Sequence, residues 1–94
     1  MTTKHTIYVA NVQKDQLAAL CVTWDIDATI YESQIVVNRL VEWGVVLEII
    51  GRDKDDVVTF CQHLCSVYRE EYVLLVSQRV NAELVNLKGE RTTL

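Results

Sequence analysis

The sequence predicts an α+β domain of two layers, a β-sheet with helices packed on one side. Three observations carry this. Segments with alternating or continuous β-rich apolar residues exchange with segments of helical spacing, in the order β-α-β-β-α-β. The chain of 94 residues has room for one small core and is read as a single domain over 1–94. No linker, repeat or low-complexity stretch divides it.

Each element follows from its residues. "TIYVANV" (6–12) is β-rich with apolar residues on both faces, as suits a strand inside a sheet. "KDQLAALCVTW" (14–24) changes to helical spacing, with Leu17, Leu20, Cys21 and Trp24 on one face and Asp15 in the first turn, where the helix dipole favours it. "IDATIYES" (26–33) alternates Ile26, Ala28 and Ile30 with Asp27, Thr29 and Tyr31 and is the second strand. "QIVVNRLVEWG" (34–44) fits an extension of that strand into a long hairpin, or a short helix stopped by Gly44 with Val36, Leu40 and Trp43 at helical spacing; it is read as strand extension followed by a connecting loop. "VVLEIIG" (45–51) is the third strand.

"RDKDDVVTFCQHLCSVYREE" (52–71) carries the clearest helical pattern. Asp53 is placed to cap it, and Val57, Cys61, Leu64 and Tyr68 form its inner stripe. "YVLLVSQRV" (72–80) is the fourth strand. "NAELVNLKG" (81–89) reads as a short closing helix capped by Asn81, and 89–94 as a frayed tail.

This order is the ferredoxin-like split βαβ arrangement: a four-stranded antiparallel sheet, right-handed crossovers, both long helices on one face, and a short C-terminal helix added. The third strand and its helix, "GVVLEIIGRDKDDVVTFCQHL", resemble the same part of small regulatory ACT-type domains. That resemblance lies in the pattern of elements and brings no ligand motif with it.

Composition excludes several classes. The net charge is −4, and the nine basic residues are spread along the chain, so a nucleic-acid-binding stripe is disfavoured. The longest apolar runs are far too short to span a bilayer, and the N-terminus does not read as a secretory signal. Three cysteines imply no disulfide framework and fit a reduced cytoplasmic setting.

The one stretch that looks chemical is "FCQHLC" (60–65). With Val57 at zero on a helical wheel, Cys61 falls at about 40° and Cys65 at about 80°, whereas His63 falls at about 240°. One helix therefore cannot aim all three at one ion, and the cysteines read as small core hydrophobes. Asp25, Asp27 and Asp53–Asp56 read as turn and cap residues; "DKDD" lacks the glycine and distal glutamate of a calcium loop. The three glycines form no phosphate loop. No metal, cofactor or catalytic residue is assigned. A small hydrolase using His63 or the Asp25/Asp27 pair is the weakest of the readings weighed.

The apolar excess, 50% of residues, is more informative. One sheet face should be wet, yet Tyr8, Tyr31, Trp43, Val46, Val73 and Leu75 supply apolar candidates for it, and tyrosine and tryptophan favour interfaces. The expected function is a non-enzymatic protein–protein interaction domain. It would be a small inhibitor or adaptor, homodimeric, docking an unidentified protein through its sheet face or an edge strand. The alternative is an ACT-like regulatory module that binds a small metabolite between subunits, through Asn11, Gln13, Lys14, Gly51, Arg52 and Asp53.

Overall fold

A computed structural model describes residues 3–37, 39–77 and 82–93. Eight elements follow one another: β1 Lys4–Ala10, α1 Lys14–Thr23, β2 Ala28–Val37, β3 Leu40–Ile50, α2 Lys54–Tyr68, β4 Tyr72–Ser77, β5 Glu83–Asn86 and β6 Arg91–Thr93. The strands form one antiparallel sheet in the order β2-β3-β1-β4-β5-β6. Its first four members have the ferredoxin-like order, and both helices lie against one face. The predicted fold class is therefore the observed one.

Strand parity decides which face each residue serves. His5, Ile7 and Val9 of β1 point toward the helices, where they meet Val45, Leu47 and Ile49 of β3 and Val73 and Leu75 of β4. Leu17 and Cys21 of α1 and Val57, Phe60, Cys61, Leu64 and Cys65 of α2 close this core from above. The wheel reading of "FCQHLC" holds: both thiols and Phe60 are buried, with His63 on another side of the helix. Burial pushes the Cys61 thiol far up and the Cys65 thiol up as well, so both are neutral core groups.

Both helices end on left-handed residues. After α1, Asp25 has φ 55°, and Ile26 N–H donates to the Cys21 carbonyl at 2.8 Å. After α2, Arg69 has φ 55°, and Glu70 N–H donates to the Cys65 carbonyl at 3.1 Å. These bonds satisfy carbonyls that would otherwise lack partners at a helix end.

Two segments differ from expectation. In 34–44 the expected extension of β2 is present, but Leu40–Gly44 are strand where a connecting loop was expected; β2 and β3 pair without a break from Ala28↔Ile49 to Val37↔Leu40. Arg39 has φ 70°, the left-handed conformation a two-residue hairpin turn requires. The predicted C-terminal helix is a strand hairpin. Glu83 and Val85 face the core and Leu84 and Asn86 do not, because the open edge of β4 offers a ladder to which a period of two can attach. Asn86 Oδ1 accepts from Lys88 N–H at 3.0 Å and Glu90 N–H at 2.9 Å, which shapes the turn. Arg91–Thr93, expected to fray, then pair with β5. Asn81, expected to cap that helix, and 78–80, expected to end β4, lie outside the described residues.

Candidate functional site

The β2–β3 hairpin reaches past the end of the helix layer. Glu32, Val36, Val41 and Trp43 share the parity of the core residues Ile30 and Val45, yet no helix covers them. Trp43 is 65% exposed, Val36 62% and Val41 58%. The β1–α1 connection runs beside this bare face. Asn11 turns it with φ 58°, and its N–H donates to the Trp43 carbonyl at 3.3 Å, tying loop to hairpin.

Between them lies a cleft of about 430 Å³ lined by Asn11, Val12, Gln13, Lys14, Asp15, Glu32, Trp43 and Gly44. That volume suits a small molecule. One wall is the start of α1, whose N-cap Gln13 makes no side-chain capping bond, so first-turn N–H groups are left for solvent or a ligand. Among the described residues, none of the ion pairs takes up Lys14, Asp15 or Glu32. The cleft thus combines a bare indole, two carboxylates, one ammonium and two carboxamides, none of them spent on the fold.

A second polar cluster occupies the opposite, helix-free face of the sheet. Lys4 Nζ lies 2.9 Å from Glu48 Oε1, and the Tyr31 hydroxyl donates to the same oxygen at 3.1 Å. The Lys4 hydrogen bond holds the Glu48 carboxyl below its usual range, and the same bond raises Lys4. Desolvation, then the Glu48 hydrogen bond, raises Tyr31. Beside this cluster Tyr31, Val46 and Tyr8 form one cross-strand row.

The residues singled out from the sequence scatter over these places. Tyr8, Tyr31 and Val46 share the open face, but Val46 is only 1% exposed, flanked by the two tyrosines. Val73 and Leu75 are not on that face; register with Ile7 puts them in the core. Trp43 lies on the helix-side face of the hairpin. Of the proposed ligand set, Asn11, Gln13 and Lys14 line the cleft, whereas Gly51, Arg52 and Asp53 sit at the other end of the sheet, where β3 runs into α2. β1 spans that separation with seven residues, roughly 20 Å. Val12, Asp15, Glu32 and Gly44 are the cleft residues the sequence reading missed. Glu32 follows the strand alternation onto the same face as Trp43, a signal visible only once the two strands are paired.

His63 packs against Trp24 with the rings tilted by 40° and their centroids 4.7 Å apart, and Asp25 and Asp27 are exposed. Among the described residues no group of three or more His, Cys, Asp or Glu side chains is arranged to hold a metal ion, and no helix is long and apolar enough to cross a membrane.

No protein-family model and no curated protein sequence matches the chain. The architecture defines the class: an α+β two-layer fold with both helices on one face of an antiparallel sheet. Within that class it is similar to a solved phage SAM lyase in complex with S-methyl-5'-thioadenosine. The two share 16% identity at a TM-score of 0.67, over 90% of this chain and 89% of that one. It is also similar to a phage SAM lyase in the apo state, at 14% identity and a TM-score of 0.55, over 90% and 88%.

At these identities the likeness is one of fold. It nonetheless overturns the expectation of a non-enzymatic inhibitor or adaptor, and of a metabolite-sensing regulatory module. Solved enzymes have this architecture over nearly its whole length. The lack of a side-chain nucleophile beside a base, on which the non-enzyme reading rested, is therefore no argument against catalysis here.

Proposed function

We propose that this protein is a lyase acting on a sulfonium nucleoside of the S-adenosylmethionine type, bound in the hairpin-end cleft and cleaved to S-methyl-5'-thioadenosine. The observation that carries this reading is the bare Trp43 indole in one cleft with the Glu32 carboxylate, which enters no ion pair among the described residues, in a fold shared with such an enzyme. The adenine stacks on the indole, a contact worth about 1–3 kcal/mol for a base on an aromatic ring. The carboxamides of Asn11 and Gln13 serve its polar edge, and Glu32 accepts from the ribose hydroxyls. The carboxylates attract the sulfonium.

The chemistry asks little of the protein. The bond from sulfur to the γ-carbon of the amino-acid chain breaks, and its electron pair neutralises the sulfur. The γ-carbon is taken by the substrate's own α-carboxylate, which closes a five-membered lactone. No water enters, no proton moves, and one net positive charge is present before and after. The protein supplies folding of the substrate and a setting less polar than water, in which opposite charges cancel more readily. Three buried free thiols fit this reaction to a reducing cytoplasm.

The test is chromatography of S-adenosylmethionine incubated with the purified chain. S-methyl-5'-thioadenosine should accumulate, and Trp43→Ala and Glu32→Gln should slow its release while keeping the melting curve. Absence of the product with the wild-type chain would refute the reading. The Glu48 carboxylate, preset by Tyr31 and Lys4, favours a second location for the same reaction on the open face. Loss of turnover in Glu48→Gln and Tyr31→Phe, with Glu32→Gln active, would place it there.

A further inference from the structure

The two edges of the sheet are built differently. β6 is three residues long, its residues are exposed, and it carries Arg91 in an ion pair with Glu83. Short, charged edges resist further pairing. β2, the other edge, is ten residues long and pairs with β3 in one unbroken register, with no bulge. Its sequence ATIYESQIVV has no proline, no lysine and a single charge, Glu32. Among the described residues, no backbone–backbone hydrogen bond outside the β2–β3 ladder involves 28–37. Among the described residues, Glu32, on the core-side parity, is the single device present that blunts an edge.

We propose that β2 pairs antiparallel with β2 of a second copy of this chain about a two-fold axis at Ser33, joining two sheets into one. The occupant follows from the strand's own pattern. With Ser33 on the axis, Ile30 of one copy lies opposite Val36 of the other, and Glu32 opposite Gln34. The 62% exposed Val36 gains an apolar neighbour on its own face, and no like charges oppose each other. Because Glu32 lines the cleft, the pairing also sets Gln34 of the second copy beside that carboxylate. This goes beyond the proposed reaction and does not depend on it.

The register makes the test directional. Gln34→Glu opposes two carboxylates twice across the axis, and Gln34→Lys opposes opposite charges twice. Sedimentation velocity over a concentration series should show a dimer for the wild-type chain. Gln34→Glu should weaken it and Gln34→Lys tighten it, each by about three- to tenfold in dissociation constant at low salt. Val36→Lys, at a position already exposed, should also dissociate it, and melting curves identify any variant that fails to fold. Amide exchange should slow along β2 as the dimer forms. A monomer at all concentrations overturns the proposal, and so does an oligomer indifferent to all three substitutions.

Discussion

The two ends of the sheet spend their charged residues in opposite ways. At the end where α2 begins, His5 Nδ1 lies 2.9 Å from Ser77 Oγ, and the buried Glu83 is held by Lys54 and by Arg91 at 3.6 Å. Arg52 there donates to the Asp25 carbonyl and faces Asp56. At the hairpin end, Lys14, Asp15 and Glu32 line a cleft under an uncovered indole and enter none of these ion pairs. Groups that satisfy one another hold a fold together, whereas groups left unsatisfied around a concavity are available to a ligand.

The contrast breaks most sharply if stability and binding respond at the wrong ends. Glu83→Ala removes an almost buried carboxylate serving two cations. Both cations are partly exposed and rehydrate, which moderates the loss to about 2 kcal/mol in urea unfolding. Trp43→Ala should leave unfolding within about 0.5 kcal/mol and weaken S-methyl-5'-thioadenosine binding by about 10- to 100-fold in calorimetry. Glu83→Ala, assayed where it is folded, should keep its affinity. The reverse pattern would mean that the ends are not divided in this way.

Acid provides a second, smaller probe of the same division. His5 is buried, and desolvation holds its pKa below the usual histidine value, with the nearby Lys54 ammonium acting the same way and the Arg52 carbonyl opposing both. Among the described residues its Nε2 has no hydrogen-bond partner. The folded pKa therefore lies below the unfolded value of about 6.5. The native state prefers neutral His5, so its contribution is complete above about pH 6.5 and is lost as pH falls through the folded pKa. Unfolding free energy measured against pH should decline on the acid side of neutrality, and His5→Gln should flatten that decline. An unchanged slope would remove His5 as its source.

Much of the fold was legible because alternation and helical spacing rarely coincide, as in "KDQLAALCVTW" and "RDKDDVVTFCQHLC". Where they do coincide the sequence is mute. Leu84, Val85 and Leu87 fit a short helix as well as a strand, and the free edge of β4, a tertiary feature, selects the strand. "YVLLVS" is apolar at both parities, so only pairing of Leu75 with Ile7 puts Val73 and Leu75 inside. The cleft was half legible. Asn11, Gln13 and Lys14 follow the end of a strand, where binding loops gather. Glu32 and Trp43 join them only because the hairpin outruns the helices, a difference of lengths that no local pattern records. If the proposed reaction is the right one, its illegibility has a chemical reason: a substrate that carries its own nucleophile leaves no nucleophile–base pair to find.

The smallest effect tests whether exposure, and not charge alone, separates the structural ion pairs. Asp56 lies 3.9 Å from Arg52 Nη1, one helical turn away, with its side chain 62% exposed, whereas the Glu83 side chain is 10% exposed. Water screens the Arg52–Asp56 attraction, and Arg52 keeps its bond to the Asp25 carbonyl when Asp56 is removed. Asp56 also stands in the first turn of α2, where its charge favours the helix dipole. Together these give Asp56→Ala a cost of about 0.5 kcal/mol in urea unfolding, shrinking in high salt. A loss as large as that of Glu83→Ala would mean that the Arg52–Asp56 pair is structural in the same sense, and the ends of the sheet would then differ in how many pairs they hold and not in how deeply those pairs are buried.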